Sequence, residues 1–452
     1  MKAFQITIIA ILGIVNLSSA QIDLEQRVKD KVKQRAEQRT DEAIDKALDK
    51  TEEGAKKAAK GEKKNKKEKD NESNTENNDS NNNSESEGNS EEGSNKTSTS
   101  APAKKSLQTY GKYDFVPGEK IIAQEGFEQV AIGDYPVDWN TNSGAEIVNV
   151  DGENGKWLMM NNPGVFMPEF ITDLPENFTL EFDLICNEEF SYYSSALEVW
   201  LASMTKPEAE FTAYGDYGRT PNAFVFSLHP TLQTDVEGVI RYKNFDTEGN
   251  EIISNDISTN QFIASKKNKV HVSVWRQKNR IRVYLNEEKV LDLPRAFASS
   301  INYNRITFAR KDGTEGDRYL LGNIRFAVGA PDTRSKLITE GKLTTRGILF
   351  DSGSDKIKPE SYGTLKDIAQ VLNENMDVRV MIIGHTDSDG DDAKNLELSK
   401  KRAAAVKEAL SKEFNVDASR METDGKGESQ PSDKNDTPAG KANNRRVEFV
   451  KQ

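Results

Sequence analysis

Residues 378–410 leave this chain few ways to fold. Val378 to Gly384 is an almost unbroken apolar run, the composition of a strand buried on both faces. It stops at His385-Thr386-Asp387-Ser388-Asp389-Gly390, an acidic turn, and a helical pattern follows. Leu396, Ala403, Val406 and Leu410 share one stripe. Asn395, Ser399 and Arg402 share another, at i, i+4 and i+7. A strand that feeds an acidic turn and then a helix bearing an arginine holds an Asp and an Arg at a fixed separation. Such a pair suits a zwitterion, because the carboxylate takes an ammonium and the planar guanidinium takes a carboxylate.

The flanking sequence extends the same architecture. Ile348 to Phe350 reads as a short apolar strand. Leu365, Ile368, Ala369 and Leu372 recur with the helical period. Val447 and Phe449 alternate with Arg446 and Glu448 in a final strand. Strand, helix, strand, helix, strand predicts an α/β unit with right-handed crossovers.

These motifs, in this order, carry a resemblance. Thr386-Asp387 with Gly390, then Asn395, Leu398, Ser399, Arg402 and Ala403, resemble the OmpA-like peptidoglycan-binding domain. So do Gly425, Gly427 and Pro431, and the closing run Asn435, Thr437, Gly440, Lys441, Asn444-Arg445-Arg446-Val447-Glu448-Phe449. Gly347 to Ser352 is similar to that family's first strand and its ligand-side turn. The likeness covers residues 340–452 and departs at Lys441, where the family more often has Arg. It implies that Asp387 holds the ammonium of diaminopimelate in the peptide stem and that Arg402 holds that residue's carboxylate. Asn395, Leu398, Thr386 and the turn at Asp351 would shape the pocket, and Arg445 would add a second cation. His385 belongs to the same motif and is expected to be structural.

The N-terminus fixes an expected compartment. Met1-Lys2, the apolar run Ile6 to Leu17 and Ser18-Ser19-Ala20 read as a secretory signal peptide over residues 1–20, too short for a membrane span. No Cys stands beside the cleavage site to take a lipid. The expected destination is the periplasm of a Gram-negative envelope, in association with the outer membrane and cell wall. A net charge of −12 argues against nucleic acid as a partner. The single Cys, Cys186, allows no internal disulfide and sits in an apolar run as a packing residue. His229, His271 and His385 lack metal-ligand spacing. No cofactor or metal is expected.

Residues 21–60 alternate acids and bases over a thin, Ala-rich apolar stripe and read as an exposed charged helix. Residues 61–105 are almost entirely Lys, Glu, Asn, Ser and Gly, and read as a disordered linker. Residues 106–332 read as an antiparallel β-sandwich and resemble laminin-G-like or concanavalin-like jelly rolls. Its expected strands include Trp157–Met160, Phe178–Leu184, Ala223–Leu228, Val270–Arg276, Ile281–Leu285, Val290–Leu293 and Asn323–Val328. Residues 335–452 form the OmpA-like domain.

Three alternatives bear on the middle region. Glucanases of the jelly-roll kind place three acids on one strand, but Ile185 stands where the third would be. Glu181 and Asp183 therefore read as solvent-face residues, and no enzyme is expected. Asp312, Glu315 and Asp317 could hold Ca²⁺, although an ordinary acidic turn explains them better. A transmembrane barrel needs strands of about 9–11 residues, whereas these read as about five to seven each. The sequence thus predicts a secreted, non-catalytic protein whose C-terminal domain binds peptidoglycan and tethers a sandwich that takes a glycan or an envelope protein. A polysaccharide-active enzyme and an outer-membrane barrel are the alternatives.

Overall fold

From Lys120 to Val328 the chain is a succession of antiparallel strands forming two sheets. The computed structural model describes residues 113–214, 220–231, 237–314, 316–330 and 332–452. The expected signal peptide, charged helix and linker lie outside these residues, as does Glu315. The first sheet runs in the order Glu288–Leu293, Arg280–Leu285, Lys269–Gln277, Asn177–Cys186, Tyr319–Val328, Lys156–Met160, Ala145–Asn149. Lys120–Glu125 also pairs with Tyr319–Val328. The second runs Glu251–Thr259, Gly238–Phe245, Ala223–His229, Leu197–Ala202, Arg305–Arg310, Gly164–Pro168, Trp139–Thr141.

Alternation along the strands decides how the sheets meet. Leu180, Phe182 and Leu184 of one sheet share a single core with Phe224, Phe226 and Leu228 of the other. Phe182 meets Phe308 edge-on, with ring centres 5.3 Å apart. Cys186 is fully buried in that core. Both sheets are open, so the described strands do not close into one barrel. Two central strands, Asn177–Cys186 and Tyr319–Val328, are ten residues long, longer than the apolar pattern suggested. The added residues, Asn177, Ile185 and Cys186 in one and Tyr319 to Gly322 in the other, are paired with neighbouring strands and so remain strand.

The expectation that Glu181 and Asp183 face solvent is wrong. Glu181 is 3% exposed, and its carboxylate lies 3.7 Å from Arg325 and 3.8 Å from His271. Asp183 accepts from His271 Nδ1 at 2.6 Å and from Asn323 Nδ2 at 2.7 Å. The face is covered at Glu181 and Arg325 and only half-covered at Asp183 and His271, and its charges pair with each other. Asp317 is likewise not open to a cation. It is fully buried, is ion-paired with Arg310, and accepts from Thr314 N at 2.9 Å.

The C-terminal elements form a second, mixed sheet ordered Lys342–Thr345, Val447–Lys451, Val380–His385, Met421–Gly427. Val380–His385 and Met421–Gly427 are parallel, joined through the long helix Asp392–Phe414. The helix Tyr362–Glu374 buries Leu365, Ile368, Ala369 and Leu372, as their spacing predicts. The expected strand at Ile348 to Phe350 is reduced to one bridge, Phe350 to Ile357. Leu349 instead exchanges hydrogen bonds with the Ser361 hydroxyl and receives Lys358 N, so its backbone is satisfied locally and the first strand falls at Lys342–Thr345. Leu396 is 40% exposed and lies off the core stripe that Ala403, Val406 and Leu410 occupy. Arg446 and Glu448 are buried as a pair at 2.9 Å.

The two regions meet along a seam of main-chain contacts. Asn443, 1% exposed, accepts from Ile121 N at 3.0 Å and donates to Ile121 O at 2.9 Å. Its amide acts as a short surrogate strand for Lys120–Glu125. Arg325 Nη2 donates to Arg346 O at 2.9 Å, and Arg346 Nη1 donates to Glu119 O at 2.5 Å. Gly363 lies so close to Phe115 that a Cβ there would stand 2.0 Å from the Phe115 carbonyl oxygen. The described residues from Tyr113 to Gln452 accordingly belong to one compact unit.

Candidate functional site

The site sits where the Val380–His385 strand ends and the long helix begins. Gly384 sets the spacing: a Cβ there would lie 2.2 Å from Ser399 O of the helix. The close approach brings the helix face down on the strand, and Ser399 Oγ receives Gly427 N at 2.9 Å. The turn between them is held by Asn395. Its amide donates to Asp389 O at 3.1 Å and Glu428 Oε2 at 2.7 Å, with a longer contact to Asp387 O at 3.4 Å. The Asp391 side chain caps the helix by accepting from Lys394 N at 3.0 Å.

Asp387 is 8% exposed, and its carboxylate accepts from Arg445 Nη1 at 2.5 Å. Arg445 is nearly half exposed on its own side. Arg402 Nε donates to Ser354 O at 2.9 Å, and its guanidinium lies 4.9 Å from the Phe350 ring centre. Burial, then the like charge of Arg445, lower the Arg402 pKa from the ordinary range, while Asp387 acts in the opposite direction. One carboxylate therefore faces two guanidiniums, and the second cation is available for an anion.

The other expected residues divide by role. Asp351 O accepts Ser354 N, so the Asp351 turn presents the carbonyl that holds Arg402. The Asp351 carboxylate lies 3.3 Å from Lys356 Nζ. Thr386 is buried, with its N–H on Gly427 O at 3.0 Å and its hydroxyl unpartnered among the described residues. Leu398 is half-buried on the helix. Lys441, the departure from the family pattern, binds Asp389 at 2.7 Å.

Sequence reading missed Phe350, Ser354 and Glu428, which act through a ring face, a carbonyl and a long-range bond that no local spacing encodes. It also missed a cleft of about 120 Å³ that adjoins Arg402 and Arg445 and includes Arg325, Arg346, His385 and Gln124 among its walls. His385 is 2% exposed, with Nε2 3.5 Å from Glu448. Burial raises the Glu448 pKa, but His385, Lys342 and Arg446 outweigh it and hold the carboxyl well below its usual range.

The OmpA family matches residues 349–445. The chain is similar to outer membrane porin F of Pseudomonas aeruginosa, 41% identical over 101 residues, or 22% of this chain and 29% of the relative. It is also similar to the probable lipoprotein YiaD of Escherichia coli, 46% identical over 103 residues, or 23% of this chain and 47% of the relative. The chain thus spans less than half the length of either. Among solved structures, the peptidoglycan-associated lipoprotein of Burkholderia pseudomallei is 33% identical over 23% of this chain and 88% of that one, with a TM-score of 0.22. Residues 349–445, the part of the chain that holds Asp387, Arg402 and Arg445, are an OmpA family domain.

Proposed function

We propose that this protein binds peptidoglycan through the zwitterion of diaminopimelate in the stem peptide. The observation that carries the reading is one buried carboxylate, Asp387, set against Arg402 and Arg445 in an OmpA family domain. The ligand ammonium takes Asp387, and Arg445, half exposed, gives way to it. Arg402, held by Ser354 and Phe350, receives the ligand carboxylate through its free guanidinium edge. The role is non-catalytic. Glu181 and Asp183, the acids that a polysaccharide hydrolase would need free, are bound to His271, Arg325 and Asn323. The protein is secreted to a Gram-negative envelope, where the domain holds the two-sheet region, read as a jelly roll, at the wall. That region takes a glycan or an envelope protein.

Co-sedimentation of the full chain with purified peptidoglycan, beside Asp387→Ala and Arg402→Ala, tests the reading. Loss of sedimentation in both variants is expected. A wild-type chain that stays in the supernatant removes the tether. Variants that sediment like wild type remove the site assignment.

A further inference from the structure

We infer that the binding site crosses the seam, and that the arginine-lined cleft beside Arg402 receives a second carboxylate of the same ligand. This rests on the peptidoglycan reading above and adds the two-sheet region to the site. Gln124 and Arg325, which are cross-strand neighbours in that region, form one wall. Arg346, Arg402 and Arg445 from the OmpA side form the other.

The charges in the cleft do not balance. Arg445 is paired with Asp387, Arg446 with Glu448, and Arg325 lies 3.7 Å from Glu181. Arg346 and Arg402 bond only carbonyl and hydroxyl oxygens, with no ion pair to a carboxylate among the described residues. Burial and the like charges of Arg446 and Arg325 lower the Arg346 pKa to about 10, with Asp433 and Glu119 opposing. A buried guanidinium crowded by others gains most from an added anion. One further donor at the cleft lacks a partner among the described residues: Arg325 Nε, on a residue 7% exposed. An unsatisfied buried donor beside surplus positive charge is the recognition chemistry of a carboxylate. A stem peptide carries carboxylates beyond the zwitterion, and the cleft is continuous with Arg402, so one ligand can reach both.

The test is calorimetric titration of the full chain with the tripeptide L-alanyl-γ-D-glutamyl-meso-diaminopimelate and with the same tripeptide whose D-glutamyl carboxylate is an amide. Gln124→Glu puts a carboxylate opposite Arg325 without removing any seam contact described above, and Gln124→Lys does the reverse. Gln124→Glu is expected to weaken the tripeptide by about five- to tenfold, as a charge facing a partly buried site does, and to leave the amidated tripeptide unchanged. Gln124→Lys is expected to tighten the tripeptide. Gln124→Glu binding the tripeptide like wild type, while Asp387→Ala loses both ligands, overturns this inference and leaves the zwitterion site standing. Equal weakening by both Gln124 variants, or of both ligands, indicates structural damage and also overturns it. If wild type binds neither ligand, the peptidoglycan reading falls and this inference falls with it.

Discussion

His271 shows how a single side chain is set by its neighbours. Burial opposes its charge, but Asp183 at 2.6 Å and Glu181 at 3.8 Å raise its pKa to about 10. A raised histidine stabilises the fold fully below its unfolded value near 6.5 and loses that contribution as pH climbs through about 10. Burial raises both acids, yet Arg325 and His271 bring Glu181, and His271, Asn323 and Lys269 bring Asp183, below their ordinary values. Their contribution is present above the usual carboxylate range and is lost as pH falls through the lowered values. The cluster therefore stabilises across neutral pH. NMR titration should find the His271 imidazole still protonated at about pH 8, far above the usual histidine range. A neutral ring there would refute the cluster. Asp317 gives a second test at this scale. Asp317→Asn leaves Arg310 buried without its charge partner and should cost about 3–5 kcal/mol in chemical denaturation. Added Ca²⁺ should not raise the wild-type midpoint, and a rise would restore the cation reading of this loop.

At the scale of elements, the decisive contact is that between the Val380–His385 strand and the long helix. A Cβ at Gly384 would meet the helix backbone at Ser399, which has no flexible end to move aside. Gly384→Ala should therefore destabilise the protein by about 2–3 kcal/mol through overpacking, read as a lowered denaturation midpoint. It should also weaken wall binding, because the helix carries Arg402. Unchanged stability would show that the helix can slide, and that the Asp387 to Arg402 spacing is not fixed by this glycine. The helix itself was legible. Ala403, Val406 and Leu410 are fully buried, and the polar stripe faces the turn as its period requires. Leu396 was misplaced because the helix starts beside the open turn, where its first apolar side chain finds no core.

Across the whole molecule, the sandwich and the OmpA domain behave as one unit. The sequence suggested two beads joined at about residue 333, because each has its own hydrophobic periodicity. The seam is built instead from an amide, main-chain groups and arginines, which carry no such signature. Removing Asn443 leaves a buried N–H and C=O of Ile121 unpaired, so Asn443→Ala should cost about 2–4 kcal/mol. Calorimetry should find wild type unfolding in one transition over this unit and Asn443→Ala in two. Two transitions in wild type would show the regions to be independent.

The sequence by itself determined the strand, turn and helix that carry Asp387 and Arg402, and the alternating strands that build two sheets. Both follow from local periodicity, which one stretch of chain contains complete. Only the tertiary structure decided that Arg445 sits on Asp387, that a buried Glu181 and a half-buried Asp183 gather on His271, and that Arg346 and Arg325 meet across a seam. Those pairings join residues dozens to hundreds of positions apart. Their energies depend on burial and on neighbouring charge, which no spacing along the chain can state.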